Sequence, residues 1–398
     1  MASPDVATAA GDGRRIKVLY VITSTAGGVG LNAYDVARFL DPHKFDLTVA
    51  YGPGYPMDER IEAVGVPVIH LDFSRRLSPL TNMRGLKQLY RLVQRERYDL
   101  VLSACSIAGI AARLVGWRLG VPCTLFSSQL WASHPQQPWL NRVVYGAIER
   151  WLDRFTTHYI AVSEAARQFG IDQRIAAAED ITTIHNSIAT DEYERPAVDI
   201  DLRKRYGLRR DSRVVGTALR FEPQKGVTYF LEAAAALRAR YSDVEFLVAG
   251  DGPLREQLHQ QARDLNLMDV TRFVGWQTDI PPLLAAMDVF CHATLWEQFP
   301  YMVLQSLALE TATVATAVDG VPEMLVHEET GLLVPPRDGL GLAAAVGRLL
   351  DAPEWGQQLA HAGRAKVLRE FDAREMVRRY EVLFQRLVAA HVPAEVAQ

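Results

Sequence analysis

The feature that most constrains the fold of this sequence is a repeated alternation between short apolar runs and longer segments with helical spacing. Residues 16–22 (IKVLYVI) form a near-continuous apolar run, which is typical of a strand buried on both faces. Alternation of such strands with helices predicts parallel βαβ units. Because the alternation restarts in the second half, we expect an α/β fold of two doubly wound, Rossmann-like domains facing each other across a cleft.

The predicted strands and helices divide evenly between the two halves. Further strands are predicted at residues 45–51, 68–71, 100–103, 123–127, 159–162, 213–219, 244–249, 271–274, 289–293, 314–318 and 332–334. Helical spacing is clear at residues 31–40, 86–97, 107–119, 227–241, 253–265, 304–310, 342–350 and 355–370. A last helix at about residues 373–389 begins with Asp372 and Glu375, which have the spacing of a capping box.

These elements define the predicted domain organisation. The chain of 398 residues fits two domains of about 200 residues each. We expect a disordered leader, a first domain, a polar linker without periodicity, a second domain, and a final helix with a tail. Their predicted ranges are 1–15, 16–190, 191–201, 202–371 and 372–398.

Composition excludes several classes of protein. The formal net charge of -4 creates no general attraction for nucleic acid. The three cysteines, Cys105, Cys123 and Cys291, are far apart, which argues against a zinc site or a disulfide framework. No apolar run reaches the roughly 18 residues needed to span a bilayer, and the N-terminus lacks the apolar core of a secretory signal. The sequence therefore predicts a cytoplasmic protein, at most peripheral at the inner face of the cell membrane.

A glycine-rich turn follows the first strand. Gly27, Gly28 and Gly30 open the next helix, and glycines there let the backbone and the free N–H groups of a helix N-terminus approach an anion. A tight βα turn without a ligand explains the glycines equally well. The pattern also differs from the G-x-G-x-x-G of a dinucleotide site.

Two further segments follow predicted strands of the second half. Arg220 and Lys225 stand five positions apart on a strand-to-helix loop, where two cations suit a diphosphate. Glu297 follows a later strand, and Gln305 lies eight positions further on. A carboxylate at a strand end can bind sugar hydroxyls. The alternative readings are a solvated basic loop and an acid that favours a helix N-terminus.

In combination these segments resemble the retaining GT-B glycosyltransferases of family 4 over nearly the whole chain, from Ile16 to about Leu387. The second half carries the landmarks of the donor-binding domain in order, and the first half matches the acceptor domain more loosely. The donor-side landmarks are Arg220 with Lys225-Gly226, Gly250–Pro253, Phe273–Gly275, Glu297–Pro300, Asp319–Glu323 and Thr330–Val334, and the acceptor-side ones are Gly27–Gly30, Ala161–Ala165 and His185-Asn186.

The resemblance implies roles for individual residues. Arg220 and Lys225 would neutralise the donor diphosphate, and Glu297 would hold hydroxyls of the transferred sugar. Gly28 would approach the diphosphate from across the cleft, and the final helix would cross back onto the first domain. Further donor contacts would come from Gly275, Trp276, Phe299, Pro300, Tyr301 and Gln305, and the acceptor-side candidates are Gly27, Gly30, Gln129 and His134.

The sequence departs from the family pattern at three places. Gln305 replaces a glutamate that accepts hydrogen bonds from ribose, and an amide oxygen accepts more weakly than a carboxylate. Gln298 replaces the glycine that commonly follows the first glutamate. Ser127, Ser128 and Gln129 stand where many relatives carry a histidine, for which His134 could substitute.

The resemblance implies transfer of a sugar from a nucleoside diphosphate donor, with retention, without a metal or other cofactor. The acceptor would be a carbohydrate, a lipid-linked molecule or a small molecule. UDP is favoured over GDP by its frequency in the family. Two alternatives remain open: a weak or inactive nucleotide-sugar-binding subunit of a transferase complex, and a nucleotide-sugar epimerase of the same fold.

One surface feature bears on partners other than the donor. A basic run could contact anionic lipid, since each cation near such a surface contributes about 1 kcal/mol. A solvated outer helix face explains it equally well. The run comprises Arg75, Arg76, Arg84, Lys87, Arg91, Arg95 and Arg97.

Overall fold

The computed structural model describes residues 14–55, 57–74, 79–196 and 200–391. Most of the predicted leader, residues 197–199 of the predicted linker and the tail from residue 392 lie outside these ranges, as do Arg75 and Arg76 of the basic run.

The first half contains a seven-stranded parallel sheet in the order β3-β2-β1-β4-β5-β6-β7. Alternate residues of its central strand point to opposite faces, so Tyr20 and Val21 enter different apolar clusters and both are fully buried. This explains why the strand reads as a continuous apolar run. The strands are β1 Ile16–Ser24, β2 Phe45–Gly52, β3 Val68–His70, β4 Leu100–Ala104, β5 Cys123–Ser128, β6 His158–Ala161 and β7 Ile181–Thr183.

The second half contains a six-stranded parallel sheet in the order β10-β9-β8-β11-β12-β13. In both sheets the first strand lies centrally and later strands add on both sides, as in doubly wound folds. The strands are β8 Arg213–Ala218, β9 Val244–Ala249, β10 Thr271–Gly275, β11 Val289–His292, β12 Ala312–Thr316 and β13 Leu332–Val334. The predicted α/β architecture of two Rossmann-like halves is confirmed.

Helices connect the strands and cover both faces of each sheet. In the first half they are α1 Gly28–Phe39, α2 Met57–Ala63, α3 Pro79–Glu96, α4 Ser106–Leu119, α5 Trp139–Leu152 and α6 Glu164–Asp172. In the second half they are α7 Ile200–Arg205, α8 Val227–Arg240, α9 Arg255–Asp264, α10 Ile280–Ala285, α11 Tyr301–Ala308, α12 Val321–Met324, α13 Gly339–Asp351, α14 Pro353–Glu370 and α15 Ala373–His391. Within the described ranges, no helix combines the length and apolar character required to cross a bilayer.

The final helix, α15, packs on the first sheet. Its Tyr380 and Phe384 join the apolar cluster of that sheet, and the Phe384 ring lies 6.1 Å from that of Phe45. Asp372 caps α15 by accepting a hydrogen bond from the Arg374 N–H at 2.8 Å. The Glu375 carboxylate instead accepts from Arg378, so only half of the predicted capping box is present.

Some elements differ from their predicted positions. Strand β7 was not predicted because two of its three residues are threonine. Helix α11 begins at Tyr301 and not at residue 304. The prediction placed the start too late because the first turn of the helix is apolar and carries no polar capping signal. Helix α7 begins at Ile200, inside the predicted linker. The start of that linker is also ordered by contacts, because Glu192 forms ion pairs with Arg38 and Arg60.

Candidate active site

The two sheets place their loops at topological switch points, where a doubly wound sheet opens a crevice at the carboxyl ends of its strands. In the second sheet this point lies between β8 and β11. The loop from Leu219 to Gly226 follows β8, and the loop from Ala293 to Pro300 follows β11. In the first sheet the switch point lies between β1 and β4, so the Gly27 turn after β1 occupies the equivalent position.

Gln224, for which no role was predicted from the sequence, links the two loops of the second half. Its carbonyl oxygen accepts from the Leu295 N–H at 2.8 Å, and its side-chain amide donates to the Trp296 carbonyl oxygen at 2.8 Å. Gly226 has a φ of 61°, and a Cβ there would lie 2.1 Å from the Ala293 carbonyl oxygen. Only glycine fits this position, so the close approach of the loops depends on it.

The hydrogen bonds of Gln224 and the close approach at Gly226 bring Lys225 and Glu297 into direct contact. The Lys225 Nζ and the Glu297 carboxylate form an ion pair, and the side chains are only 12% and 18% exposed. Arg220 lies on the same loop and donates to Glu222 at 3.0 Å. The structure thus brings Lys225 and Glu297 together and places Arg220 on the same loop as Lys225, while the roles of all three residues stay predictions.

Asp319 links this pair to the first half of the molecule. Its Oδ2 accepts from the Glu297 N–H at 2.7 Å, and its Oδ1 lies 3.2 Å from Nε2 of His134. Asp319 has a φ of 42°, a conformation that non-glycine residues rarely adopt. Asp319 belongs to the donor-side landmark Asp319–Glu323, but no individual role was predicted for it. Among the acceptor-side candidates, His134 is the one that the structure brings to Glu297, through Asp319.

A second contact between the halves involves Glu323. Its carboxylate accepts from the Glu164 and Ala165 N–H groups at the start of α6, each at 2.9 Å, and lies 2.7 Å from Nε2 of His185. Burial alone would raise the pKa of the Glu323 carboxyl, but the bonds from His185 and the two N–H groups outweigh it and lower the pKa. Glu323 is therefore an anionic cap on a helix of the other half.

The glycine turn of the first half packs directly on the second half. A Cβ on Gly28 would lie 2.6 Å from Cδ2 of the Tyr301 ring, so α1 and α11 approach more closely than any larger residue allows. Gly27 has a φ of 72° and open space around its Cβ position. A Cβ on Gly30 would meet the Thr25 carbonyl oxygen at 1.9 Å. Gly27 and Gly30 therefore shape the turn, and Gly28 makes the contact.

The remaining donor-side candidates are dispersed. Phe299 is buried with its ring 5.0 Å from that of His185, and Pro300 precedes α11. Gln305 is buried and its amide donates to the Tyr193 hydroxyl at 2.7 Å. Gly275 and Trp276 lie at the end of β10, two strands away from β8. Among the residues that the structure describes, no hydrogen bond or ion pair joins Gly275 or Trp276 to the Lys225–Glu297 pair.

Gln129 belongs to a buried polar network behind the site. Its amide exchanges hydrogen bonds with Asn186, at 2.9 and 3.4 Å, and donates to Ser127. Asn186 also accepts from Asn32. Next to Gln129, Ser128 donates to the Gln298 side chain of the other half at 3.4 Å. Gln298 therefore contributes to the contact between the halves, which the replaced glycine could not.

A cavity of about 280 Å³ opens between the halves beside Asp319. His134, Gln168, Phe169 and Asp172 line it from the first half, and Gln298 and Asp319 line it from the second. Its carboxylates are those of Asp172 and Asp319, and its other polar side chains are those of Gln168, Gln298 and His134. His292 lies outside this cavity and is buried in the second half. Burial, and to a smaller extent the nearby Lys225 charge, lowers the pKa of His292 to about 3, so this imidazole is neutral near pH 7.

The comparisons with known proteins agree with this geometry. Residues 212–352 match the family described as glycosyl transferases group 1, and residues 27–187 match the glycosyl transferase 4-like domain. Alpha-D-kanosaminyltransferase of Streptomyces kanamyceticus is 30% identical over 70% of this chain and 74% of its own. UDP-Gal:alpha-D-GlcNAc-diphosphoundecaprenol alpha-1,3-galactosyltransferase of Escherichia coli is 27% identical over 85% of this chain and 88% of its own.

Solved structures show the same architecture. The crystal structure of HepE from Anabaena in complex with UDP-glucose superposes with a TM-score of 0.81 at 23% identity, over 93% of this chain and 99% of that chain. Sucrose-phosphate synthase from Thermosynechococcus elongatus superposes with a TM-score of 0.77 at 19% identity, over 95% of this chain and 100% of that one. The fold and the cleft define a glycosyltransferase of the two-domain GT-B class. The chain belongs to the group 1 glycosyltransferases.

Proposed function

We propose that this enzyme transfers a sugar from a nucleoside diphosphate donor, UDP in preference to GDP, to a hydroxyl-bearing acceptor with retention of anomeric configuration. The observation that carries the proposal is the Lys225–Glu297 pair at the switch point between β8 and β11. A cation for the leaving diphosphate and a carboxylate for sugar hydroxyls thereby stand side by side at the edge where doubly wound folds bind ligands.

The proposed mechanism follows the charge that develops during transfer. Cleavage of the bond between the anomeric carbon and the phosphate oxygen leaves negative charge on the diphosphate. Lys225 and Arg220 would stabilise that charge. The acceptor oxygen would attack from the face that the diphosphate leaves, and its proton would pass to the departing phosphate oxygen. This route retains the anomeric configuration and needs no nucleophilic carboxylate.

The choice of UDP rests on similarity. The related proteins include the UDP-Gal:alpha-D-GlcNAc-diphosphoundecaprenol alpha-1,3-galactosyltransferase of Escherichia coli, and the solved structures include HepE in complex with UDP and with UDP-glucose. The reported relatives are transferases, which favours transfer over epimerisation. The chain itself supports the donor class through Arg220 and Lys225.

The acceptor is proposed to enter the cavity beside Asp319. Its lining from Gln168, Asp172, Gln298 and Asp319 offers hydrogen-bond acceptors and little positive charge. The part of the acceptor that enters is therefore an uncharged or cationic group with hydroxyls. Since the cavity is shared by both halves, closure of the halves would exclude water and limit hydrolysis of the donor.

Donor binding and turnover test the proposal together. A matched panel of UDP- and GDP-sugars is incubated with the purified chain, and release of nucleoside diphosphate and of free sugar is followed by chromatography. We expect slow release with one UDP-sugar, and a rise in melting temperature with UDP. A nucleotide at 100 times its Kd raises the free energy of unfolding by about 2.7 kcal/mol. Once an acceptor is found, the coupling constant of the product's anomeric proton reports retention or inversion.

The same assay separates the alternatives. Binding of UDP without release of sugar or nucleotide would indicate a non-catalytic subunit. Conversion of the donor into its epimer with the nucleotide still attached would indicate an epimerase. A stronger response to GDP than to UDP would contradict the proposed base, and a product of inverted configuration would contradict the proposed mechanism.

A further inference from the structure

Half of the large apolar side chains that are exposed in the described part of the chain lie on α5 or beside it. Trp139 is 72% exposed and Val143 is 58% exposed. On α5 the apolar positions recur at intervals of four, and so follow one side of the helix. The exposed apolar residues are Trp117, Trp139, Leu140, Val143, Val144 and Trp151.

An ordinary surface helix packs its apolar side inward, but α5 exposes most of its large apolar side chains. Its inward face carries Gly146, Glu149 and Leu152. Glu149 accepts two hydrogen bonds from the fully buried Arg113, at 2.8 and 3.1 Å. The helix thus buries its acid and presents tryptophan and aliphatic side chains to solvent. Contiguous exposed apolar surface of this kind marks an interaction site.

The apolar stripe continues onto the end of α4. The Trp117 ring lies 4.8 Å from that of Phe155, which lies 4.9 Å from that of Trp151. The Arg154 guanidinium lies 5.8 Å from the Trp151 ring. Aromatic rings combined with cations are typical of membrane interfaces, where the ring enters the headgroup region and the cation meets phosphate.

The charge of this surface is of one sign. Arg118, Arg142, Arg150 and Arg154 are exposed, and none of them forms an ion pair with another described residue. Asp153 is half-buried. We define the α5 surface as these four arginines with the six apolar residues. Two copies of a surface with four arginines that are not neutralised by ion pairs would repel each other in a symmetric dimer, whereas an anionic bilayer matches both its charge and its apolar character.

The α5 surface adjoins the proposed acceptor cavity. A groove of about 320 Å³ is lined by Ser133, Trp139, Arg142, Val143, Arg150 and Gln173. Ser133 precedes His134, and Gln173 follows Asp172, and both of these neighbours line the cavity beside Asp319. The groove and the cavity are therefore lined by neighbouring residues of the same two chain segments. The groove, with its two arginines, lies directly beside the cleft.

We propose that the α5 surface docks this enzyme on an anionic lipid bilayer, so that a lipid-linked acceptor reaches the cleft along the groove. The acceptor class rests on the proposed function, but the docking does not. Trp139, Trp151 and the aliphatic residues enter the interfacial region, and the arginines bind lipid phosphates.

The basic face of α3, the surface predicted from the sequence to contact lipid, differs in kind. Arg84, Lys87 and Arg91 are exposed there, but Arg95 is paired with Glu96 at 2.7 Å. Met83 is the large apolar side chain exposed on the described part of α3. Charge without apolar insertion gives weaker and more salt-sensitive binding, so α3 serves as the charge-matched control.

Vesicle co-sedimentation of the full chain tests the proposal. Vesicles of phosphatidylcholine with and without phosphatidylglycerol are compared, and we expect binding to the anionic vesicles. Trp139→Ser/Trp151→Ser and Arg142→Glu/Arg150→Glu should each weaken the partition onto these vesicles by about tenfold or more. Arg84→Glu/Arg91→Glu and Leu340→Ser should bind like the unaltered chain, because Leu340 is an exposed apolar residue outside the α5 surface.

Donor turnover without vesicles is measured in parallel and keeps the two proposals distinct. Normal turnover in both α5 variants together with weak vesicle binding supports the docking surface. Equal vesicle binding by the α5 variants and the unaltered chain overturns it. So does an unaltered chain that turns over donor but binds no vesicles, which leaves the proposed function intact. A concentration-dependent dimer that Trp139→Ser/Trp151→Ser abolishes, without vesicle binding, would assign the surface to a second copy and also overturn docking. Vesicle binding without donor turnover contradicts the proposed function alone.

Discussion

Lys225 and Glu297 neutralise each other in a largely buried ion pair, so each is held ready without an uncompensated buried charge. A donor diphosphate would compete with Glu297 for the Lys225 ammonium, and the sugar hydroxyls would compete for the freed carboxylate. At the residue scale, the pair therefore couples the two ends of the donor. Arg220, restrained by Glu222, would supply the second positive charge.

Replacement of Lys225 tests this coupling. Lys225→Ala should lower kcat/KM by about 100-fold or more, and Arg220→Ala similarly, since each removes a partner of the transition-state charge. Initial rates with the best UDP-sugar provide the measurement. Arg255→Ala is the matched control, because Arg255 pairs with Asp251 at 3.1 Å after β9 and away from the switch point. Near-normal turnover in both Lys225→Ala and Arg220→Ala would refute the assignment.

Asp319 combines a strained backbone with two contacts that support the site. Asp319→Gly relieves the φ of 42°, a strain on the order of 1 kcal/mol, whereas Asp319→Ala keeps it. Both variants lose the acceptor for the Glu297 N–H and the contact with His134. We expect Asp319→Gly to melt at a higher temperature than Asp319→Ala, while both lose about tenfold or more in kcat/KM.

Arg174→Gly is the control for the strain, because Arg174 has a φ of 50° and lies outside the proposed site. It should stabilise the protein without changing turnover. Full activity in Asp319→Ala would show that the Asp319 contacts do not position Glu297.

At the scale of elements, helix termini form the junction between the halves. The start of α1 meets α11 through Gly28 and Tyr301, and the start of α6 is capped by Glu323 from α12. Helix N-termini concentrate free N–H groups and partial positive charge. The junction therefore uses the same feature that makes the crevice suitable for an anionic donor.

Gly28→Ala tests the contact between α1 and α11. The new Cβ would lie 2.6 Å from the Tyr301 ring, so the helices must separate, and we expect kcat/KM to fall by about tenfold or more through lost alignment across the cleft. Gly65→Ala is the control, since Gly65 has a φ of 89° with open space around it and should cost stability alone. Unchanged turnover in Gly28→Ala would show that this close approach is dispensable.

Glu323→Gln tests the cap on α6 through its pH dependence. The pKa of the Glu323 carboxyl is lower in the folded protein than its ordinary value of about 4.5. As the pH falls, Glu323 is therefore protonated in the unfolded chain before it is protonated in the folded protein. Its stabilising contribution is therefore complete above about pH 4.5 and is lost as the pH falls through the folded pKa. The melting temperatures of the unaltered chain and the variant should differ at pH 7 and converge in acid. A constant difference at all pH values would contradict the ionic cap.

At the scale of the whole molecule, two buried imidazoles make stability sensitive to mild acid. Burial first, and then Arg386, lowers the pKa of His158 to about 4, and burial lowers that of His292 to about 3. Each half contains one of them. In the unfolded chain both titrate near 6.5, so between about pH 6.5 and pH 4 protonation favours the unfolded state.

We therefore expect the melting temperature to decrease as the pH falls below about 6.5, with each imidazole contributing up to about 1.4 kcal/mol per pH unit. His158→Asn removes one titrating group while an amide can still bond with Thr182, the present partner of His158 at 2.8 Å. Its melting temperature should depend less steeply on pH in this window. Equal slopes in the unaltered chain and in His158→Asn would contradict the prediction.

Much of the fold was predictable because its signals are local. A strand buried on both faces must be apolar throughout, and the apolar runs at β1 and β9 were found within two residues of their ends. Strand β7 carries two threonines and gave no such signal. Of the site, Arg220, Lys225 and Glu297 could be singled out because each follows an apolar strand, and the resemblance to a known family implied their roles. Asp319 and Gln224 could not be assigned roles, since nothing adjacent to them in sequence indicates their partners.

By itself, the sequence determined the alternation of strands and helices, the two doubly wound halves and the strand ends that carry charged loops. The tertiary structure decided which of those loops meet. His134 and Asp319 are 185 positions apart, and Ala165 and Glu323 are 158 apart. The periodicity of a sequence indicates only which residues share a face of one helix or strand. Contacts between residues this far apart in sequence depend on how the two sheets and the final helix α15 pack. The same packing turned the apolar side of α5 outward.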